Sequence, residues 1–286
     1  MKKLILCCLG LWSSGLLFAI EVRDDRGVVL EFPAPAAHVI SLLPSLSEMV
    51  CALNACDRLV GVDRNSNFPV SLAPLATLGS GLDPNIEAIL VLKPDAVVMS
   101  HAPRAVERLQ SLGVKVLVLE PKNQADVQRV IQTLATLLGV QDEGKLWRTI
   151  DSEINQAANS IPAKLKGLKV YFEVSRGPYA ASESSFIGEL LARLGESNII
   201  PSSLGAFPLV NPEFIVKANP QIIFISSQEA IALPNRPGWG SINAIKNQRI
   251  CVISKNEEDI VARPGPRMGQ SAGILARCIL AKGVTR

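Results

Sequence analysis

Residues 85–100 read NIEAILVLKPDAVVMS, and residues 211–226 read NPEFIVKANPQIIFIS. Without gaps, the two stretches share Asn85/Asn211, Glu87/Glu213, Ile89/Ile215, Pro94/Pro220 and Ser100/Ser226, and most other positions match in apolar character. A chain with this echo is constrained to build one unit twice. In each copy the Asn side chain can accept from first-turn amides, so a short helix starts there. The Pro cannot continue that helix, because it lacks an N–H and disfavours the helical conformation before it. The run after the Pro is of strand length and apolar on both faces, the pattern of a strand buried in a parallel sheet.

The same strand–loop–helix order recurs around both copies. Residues 38–43 are apolar and β-prone, and Ser45 with Glu48 has the spacing of a capping box ahead of Met49, Val50 and Leu53. A strand is expected over 59–62 after a helix stop near Asn54, a helix over 105–112 ending at Gly113, a strand over 114–119 and a helix over 125–138. In the second half, strands are expected over 168–174, 222–225 and 250–253. Helices are expected over 185–194, ending at Gly195, and over 267–281. Strands and helices alternating in this way build parallel sheets covered on both faces. Between the halves, Leu146, Ile150, Ile154 and Ala158 recur every four residues as one apolar helical stripe, with no Gly/Ser-rich linker. The fold expected is α/β: an N-terminal lobe over 20–140, a single long linker helix over 141–166 with Pro162 close to its end, and a C-terminal lobe over 167–286. Residues 20–35 read as a β-hairpin arm turning between Asp24 and Gly27.

The first residues bear on compartment. Lys2 and Lys3 precede a stretch over 4–19 that is apolar apart from Ser13 and Ser14, and Leu17 and Ala19 suit the −3 and −1 positions of a signal-peptidase site. Residues 1–19 are therefore expected to be a signal peptide cleaved before Ile20. The stretch is short for a membrane anchor, which needs roughly 20 apolar residues. Of 29 basic residues, 27 remain after Lys2 and Lys3 leave, against 26 acidic, and no basic stripe supports nucleic-acid binding. Cys51, Cys56, Cys251 and Cys278 would remain in an oxidising compartment, where disulfides persist, with three pairings open. If Cys51 and Cys56 both lay on a regular helix they would stand too far apart to bridge; a helix ending between them changes that.

Chemistry-bearing motifs are absent. There is no GxSxG elbow, Walker A loop, GxGxxG or HExxH, and no His/Cys/Asp/Glu cluster has metal-ligand spacing. Of the two histidines, His38 opens an apolar strand. His101 follows a strand of the parallel type, at the carboxyl end where open α/β sheets hold ligands.

The segments VISLLPSLSEMVCALNACDRLVGVDRNSNFP (39–69), LGSGLDPNIEAILVLKPDAVV (78–98), YFEVSRGPYAASESSFIGELLARLG (171–195) and ARPGPR (262–267) resemble the periplasmic binding proteins for cobalamin, haem and ferric siderophores. The resemblance runs from about His38 to the closing helix. It implies two Rossmann-like lobes joined by one rigid helix, ligand in the cleft between them, no catalysis, and delivery to an ABC transporter permease in the inner membrane. It also implies an exposed acid on each lobe that pairs with permease arginines, at positions matching Glu87 and Glu213. As a property of the residues alone, an acid in a helix's first turn also offsets the macrodipole.

With that geometry, the cleft is expected to be lined by Pro44, Ser45, Asn67, Phe68, Ser80, Leu82 and His101 from the first lobe. The second lobe is expected to add Arg176, Tyr179, Phe207, Gln228 and Trp239. The haem binders of this family commonly place a Tyr where this chain has Ser80–Gly81–Leu82, which leaves His101 as the alternative iron ligand. Siderophore binders place arginines in the cleft, for which Arg176 is the candidate, with Arg104 and Arg263 nearby in sequence. LLPSLSEM, FEVSRGPY and Phe207–Pro208 look most like the cobalamin-binding branch. The expectation is a periplasmic monomer, without cofactor or bound metal of its own, that carries cobalamin or a related corrinoid. The alternative ligand is a ferric siderophore or haem.

Overall fold

The structure, a computed structural model, describes residues 19–141 and 143–283. The expected signal peptide lies outside the described residues except for Ala19.

The first element of the described residues is an antiparallel hairpin, β1 (Ile20–Arg23) and β2 (Val29–Phe32). Its turn is fastened by Asp24, whose buried carboxylate accepts from the amides of Arg26, Val28 and Val118. The first lobe then follows: β3 (Val39–Ser41), α1 (Pro44–Ala52), β4 (Leu59–Val62), β5 (Ala76–Thr77), α2 (Ile86–Val91), β6 (Ala96–Met99), α3 (Pro103–Ser111), β7 (Val116–Val118) and α4 (Gln124–Leu138). Its sheet has the order β5-β4-β3-β6-β7, with every pairing parallel.

The linker is α5 (Glu143–Asn159), shorter than the helix expected over 141–166. The chain leaves it at Ile161–Pro162, because Pro162 has no amide to continue the ladder, and makes a separate 3₁₀ turn at Ala163–Leu165. Ile150, Ile154 and Ala157 are its buried face. They join residues of both lobes in one continuous hydrophobic core, and α5 lies along the closing helix of the second lobe.

The second lobe comprises β8 (Lys169–Ser175), β9 (Tyr179–Ala180), α6 (Phe186–Arg193), β10 (Ser197–Asn198), α7 (Pro212–Ala218), β11 (Ile222–Ser226), α8 (Ser227–Ala230), α9 (Asn243–Lys246), β12 (Ile250–Ile253), α10 (Lys255–Ala262) and α11 (Met268–Lys282). Its sheet order is β10-β8-β11-β12, parallel, with β9 antiparallel on β8.

The echo is a structural equivalence. Asn85 and Asn211 cap α2 and α7, their side chains accepting from the amides of Ala88 and Glu213. Lys93 and Asn219, each just before the shared Pro, both adopt left-handed φ, 46° and 54°. The residue after each Pro ties down the start of the neighbouring strand. Asp95 accepts from the His38 amide at 2.8 Å, and Gln221 accepts from the Lys169 amide at 3.0 Å. Ala96 and Val98, like Ile222 and Phe224, face the central core. Val97 and Met99, with Ile89, and Ile223 and Ile225, with Ile215, face separate outer clusters.

Two local readings change. Ser45 and Glu48 form no capping box: the N-cap of α1 is Leu43, and no side chain caps it. Glu48 is instead turned into the protein, where arginines of the other lobe meet it. The cysteines pair as Cys51–Cys56 and Cys251–Cys278. Because α1 ends at Ala52 and Asn54 turns left-handed, the Cα atoms of Cys51 and Cys56 come within 4.2 Å.

Candidate functional site

In each lobe the chain leaves one central strand toward one side of the sheet and returns on the other, at β3/β6 and at β8/β11. Such switch points open a crevice beyond the carboxyl ends of the strands. In the first lobe the Ser80–Leu82 loop closes over this point. A Cβ on Gly81 would stand 3.1 Å from the Leu42 carbonyl oxygen and 3.3 Å from Ser100 Oγ, so glycine permits the close approach. Leu82 is left exposed and Ser80 half-buried. Pro44 is the first residue of α1, and Ser45 is buried against Gly265 of the second lobe. His101 is exposed, its amide donating to Glu120 at 3.0 Å. Burial pushes the Glu120 carboxyl up, but the Lys122 ammonium and the His101 amide outweigh it, and the group is held below the usual carboxylate range.

In the second lobe a cavity of about 370 Å³ opens beyond β8, β11 and β12, with Ser175, Arg176, Ser226, Gln228 and Asp259 in its wall. Arg176 and Gln228 therefore share one space. Arg176 also borders a larger hollow of about 1020 Å³ beside α7, so it stands on the ridge between the two. Tyr179 and Phe207 are exposed, with Phe207 edge-on to Phe186 at 6.1 Å.

Trp239 lies in the wall of the larger hollow, with only 1% of its surface exposed. Its side chain is buried, edge-on to Tyr171 at 6.1 Å, with the Arg236 guanidinium over its ring at 4.6 Å. Arg236 is held there by two hydrogen bonds to Glu173, at 2.6 and 2.7 Å, and the Tyr171 hydroxyl donates to the same carboxylate. Burial, then the adjacent Glu173 charge, raises the Tyr171 pKa far above its ordinary value. The tryptophan is thus roofed by an ion pair and is part of the lobe's outer core.

The lobes meet along two seams. At one, α6 is joined to the start of α4. Glu189 accepts from the Gln124 amide at 2.7 Å, Phe186 donates its amide to the Lys122 carbonyl, and Arg193 donates to Gln124. Burial raises the Glu189 pKa against that amide bond. At the other seam, Arg263 and Arg267 cross to Glu48, and Asn67 donates to Asp259 at 2.7 Å. Asn67 and Phe68 therefore stand at the lobe junction. Glu48, Asp259 and Arg267 were not read from the sequence as site residues. The available signal was an acid inside the otherwise apolar α1 and the two arginines of ARPGPR.

Glu87 and Glu213 lie in the first turns of α2 and α7. Both are exposed, and neither carboxylate has a side-chain partner among the described residues. No group of three or more His, Cys, Asp and Glu among the described residues could hold a metal ion.

Two parallel-sheet lobes on a helical spine, with the open ends of both sheets at the junction, define a two-lobed solute receptor. A model of the family described as periplasmic binding protein matches residues 39–257, and the chain belongs to that family. It is 28% identical over 276 residues to an uncharacterized ABC transporter substrate-binding lipoprotein of Bacillus subtilis, covering 92% of this chain and 86% of the relative. It is 26% identical over 245 residues to the vitamin B12-binding protein of Vibrio cholerae, covering 84% and 87%. Among solved structures, a possible iron-binding (periplasmic solute-binding) protein from Staphylococcus epidermidis superimposes with a TM-score of 0.75 at 25% identity, over 86% of this chain and 99% of that one. The protein is accordingly a solute-binding protein of the ABC-importer type, placed outside the cytoplasm, and not an enzyme. Such proteins work with a permease and an ATPase.

Proposed function

We propose that this protein captures cobalamin or a related corrinoid between its lobes in the periplasm and presents it to an inner-membrane permease that contacts Glu87 and Glu213. The observation that carries the reading is the state of the arginines. Arg263 and Arg267 are neutralised by Glu48 and Asp259, and Arg236 by Glu173, so Arg176, the arginine in the wall of the second-lobe cavity, has no acidic partner among the described residues. A polyanionic ferric chelate calls for several free guanidinium groups, whereas a flat macrocycle rimmed with neutral amides calls for apolar surface and hydrogen-bonding groups. Phe68, Tyr179 and Phe207 expose apolar rings, and Asn67, Ser80 and Gln228 supply the polar groups. The vitamin B12-binding relative in Vibrio cholerae supports the same class.

The second reading, a ferric siderophore or haem, is favoured by the unpaired Arg176 and by the structural neighbour described as a possible iron-binding protein. For haem, Tyr171 is buried and bonded to Glu173, and His38 sits at the start of β3. The axial candidates are therefore Tyr179 and His101. Titration calorimetry with cyanocobalamin, cobinamide, a ferric hydroxamate and haemin separates the readings. Cyanocobalamin or cobinamide is expected to bind at one molecule per chain and to raise the melting temperature by mass action. A shift with the ferric hydroxamate or haemin alone would transfer the assignment to iron.

A further inference from the structure

Glu48 is an acid on a first-lobe helix that is only 2% exposed, and its charged partners belong to the second lobe. Arg267 grips it side-on, Nε to Oε2 at 2.7 Å and Nη2 to Oε1 at 2.6 Å. Arg263 adds a bond to Oε1 at 2.9 Å. The same two arginines hold the segment that leads to Phe68. Arg263 donates to the Asn67 side chain at 2.8 Å and to the Asn65 carbonyl at 3.0 Å. The Arg267 guanidinium lies over the Phe68 ring at 4.4 Å. Asp259 completes the circuit, pairing with Arg263 at 2.9 Å and accepting from Asn67. Two acids and two arginines thus balance only while the lobes are together.

We propose that Glu48, Arg263 and Arg267 form an inter-lobe latch that sets the lobe angle and holds Asn67 and Phe68 as a fixed wall of the cleft. A charge buried away from water is tolerable only when paired and hydrogen-bonded. Parting the lobes at this seam would strand Glu48 and Arg267, so the seam resists opening while the cleft rim stays free to adjust. Arg267 is a positioning residue: one guanidinium both closes the lobes and backs the Phe68 ring, leaving that ring's remaining surface, 42% of the residue, exposed. The lobe-setting part stands on this geometry alone. The consequence for capture rests on the corrinoid reading.

The test places spin labels, carried by unnatural amino acids, at Val91 and Ile231, which are 78% and 79% exposed and lie on different lobes. Wild-type protein is expected to give a narrow inter-lobe distance distribution, unchanged by cyanocobalamin. Glu48→Gln leaves the Arg267 guanidinium without its counter-charge and Arg263 with Asp259 alone, and is expected to broaden it. Arg267→Lys keeps the charge but loses the planar fork and is expected to do the same more mildly, which covers the case that Glu48→Gln fails to fold. Asn67→Ala removes the bonds to Asp259 and Arg263 but leaves both arginine–Glu48 pairs in place. It should leave the distribution narrow while cyanocobalamin dissociates roughly tenfold faster, the combined effect of the lost amide and of side chains that must now be ordered on binding. If the altered latch gives the wild-type distribution at temperatures well below melting, the proposal is overturned. If wild-type protein binds no corrinoid, the functional reading fails, and the distance distributions alone decide the latch.

Discussion

Replacing Glu87 or Glu213 by Ala should separate stability from docking. Both side chains are exposed in the first turns of α2 and α7, and their carboxylates bond nothing else in the described structure. The caps of those helices come from Asn85 and Asn211, which the substitutions leave in place. What is lost in the free protein is the acid's interaction with the helix dipole, roughly 0.3–1 kcal/mol at an exposed site. For a chain of this size that is a fall of about 0.5–2 °C in melting temperature. At a permease interface the same carboxylate would be desolvated against arginine, where removing one partner costs about 2–5 kcal/mol. Docking should then weaken by roughly 30- to 5,000-fold. The assay pairs a thermal melt and a cyanocobalamin titration on each variant with ligand uptake by permease and ATPase in vesicles. Melting and ligand affinity should be nearly unchanged, uptake strongly reduced, and the double variant worst. Arg at either position should be worse than Ala, because it adds like-charge repulsion. Normal uptake by both Ala variants, or loss of ligand binding ahead of uptake, would refute the docking role and leave the two acids as helix-dipole residues.

Two further tests concern the second lobe. Burial pushes the Glu196 carboxyl up to about 7, against the Leu168 amide bond and the Lys166 charge, and its Oε1 is buried without a partner. A raised folded-state pKa means stability that is fully present below the unfolded value near 4.5 and lost as pH rises through about 7. Glu196→Gln should therefore flatten stability over that window in denaturant melts, and a parallel pH dependence in both proteins would exclude Glu196 as its source. Arg236→Met leaves the fully buried Glu173 side chain without its counter-charge and should cost about 3–5 kcal/mol in urea unfolding. A loss below about 1 kcal/mol would mean that water reaches Glu173 and that Trp239 is not roofed by a closed ion pair.

What this sequence determined by itself is the set of features built from near neighbours. Asn85 and Asn211 cap because the amides they accept from lie two or three residues away. Gly113 and Gly195 end helices because they adopt φ of +82° and +93° where a side chain would be strained. Apolar runs after Pro94 and Pro220 become β6 and β11 because a run apolar on both faces is stable only inside a sheet covered on both sides. The stripe at Ile150 and Ile154 marks the spine for the same reason of local period. The repetition of one pattern in each half made the two-lobed plan readable without coordinates.

Only the tertiary structure decided where the charges and the remaining large side chain went. Glu48 has the spacing of a helix cap, yet it pairs with Arg267, 219 residues away, and no local pattern encodes such a partner. Trp239 was expected as a cleft ring, and the packed chain sets it in the wall of the hollow beside α7, under an Arg236 guanidinium that Glu173 anchors. The pairing of four cysteines awaited the end of α1 at Ala52 and the packing of α11 on β12. Local conformation follows from steric and hydrogen-bonding rules acting over a few residues. Which buried charge finds its partner depends on closing long loops, and only the packed chain brings those groups together.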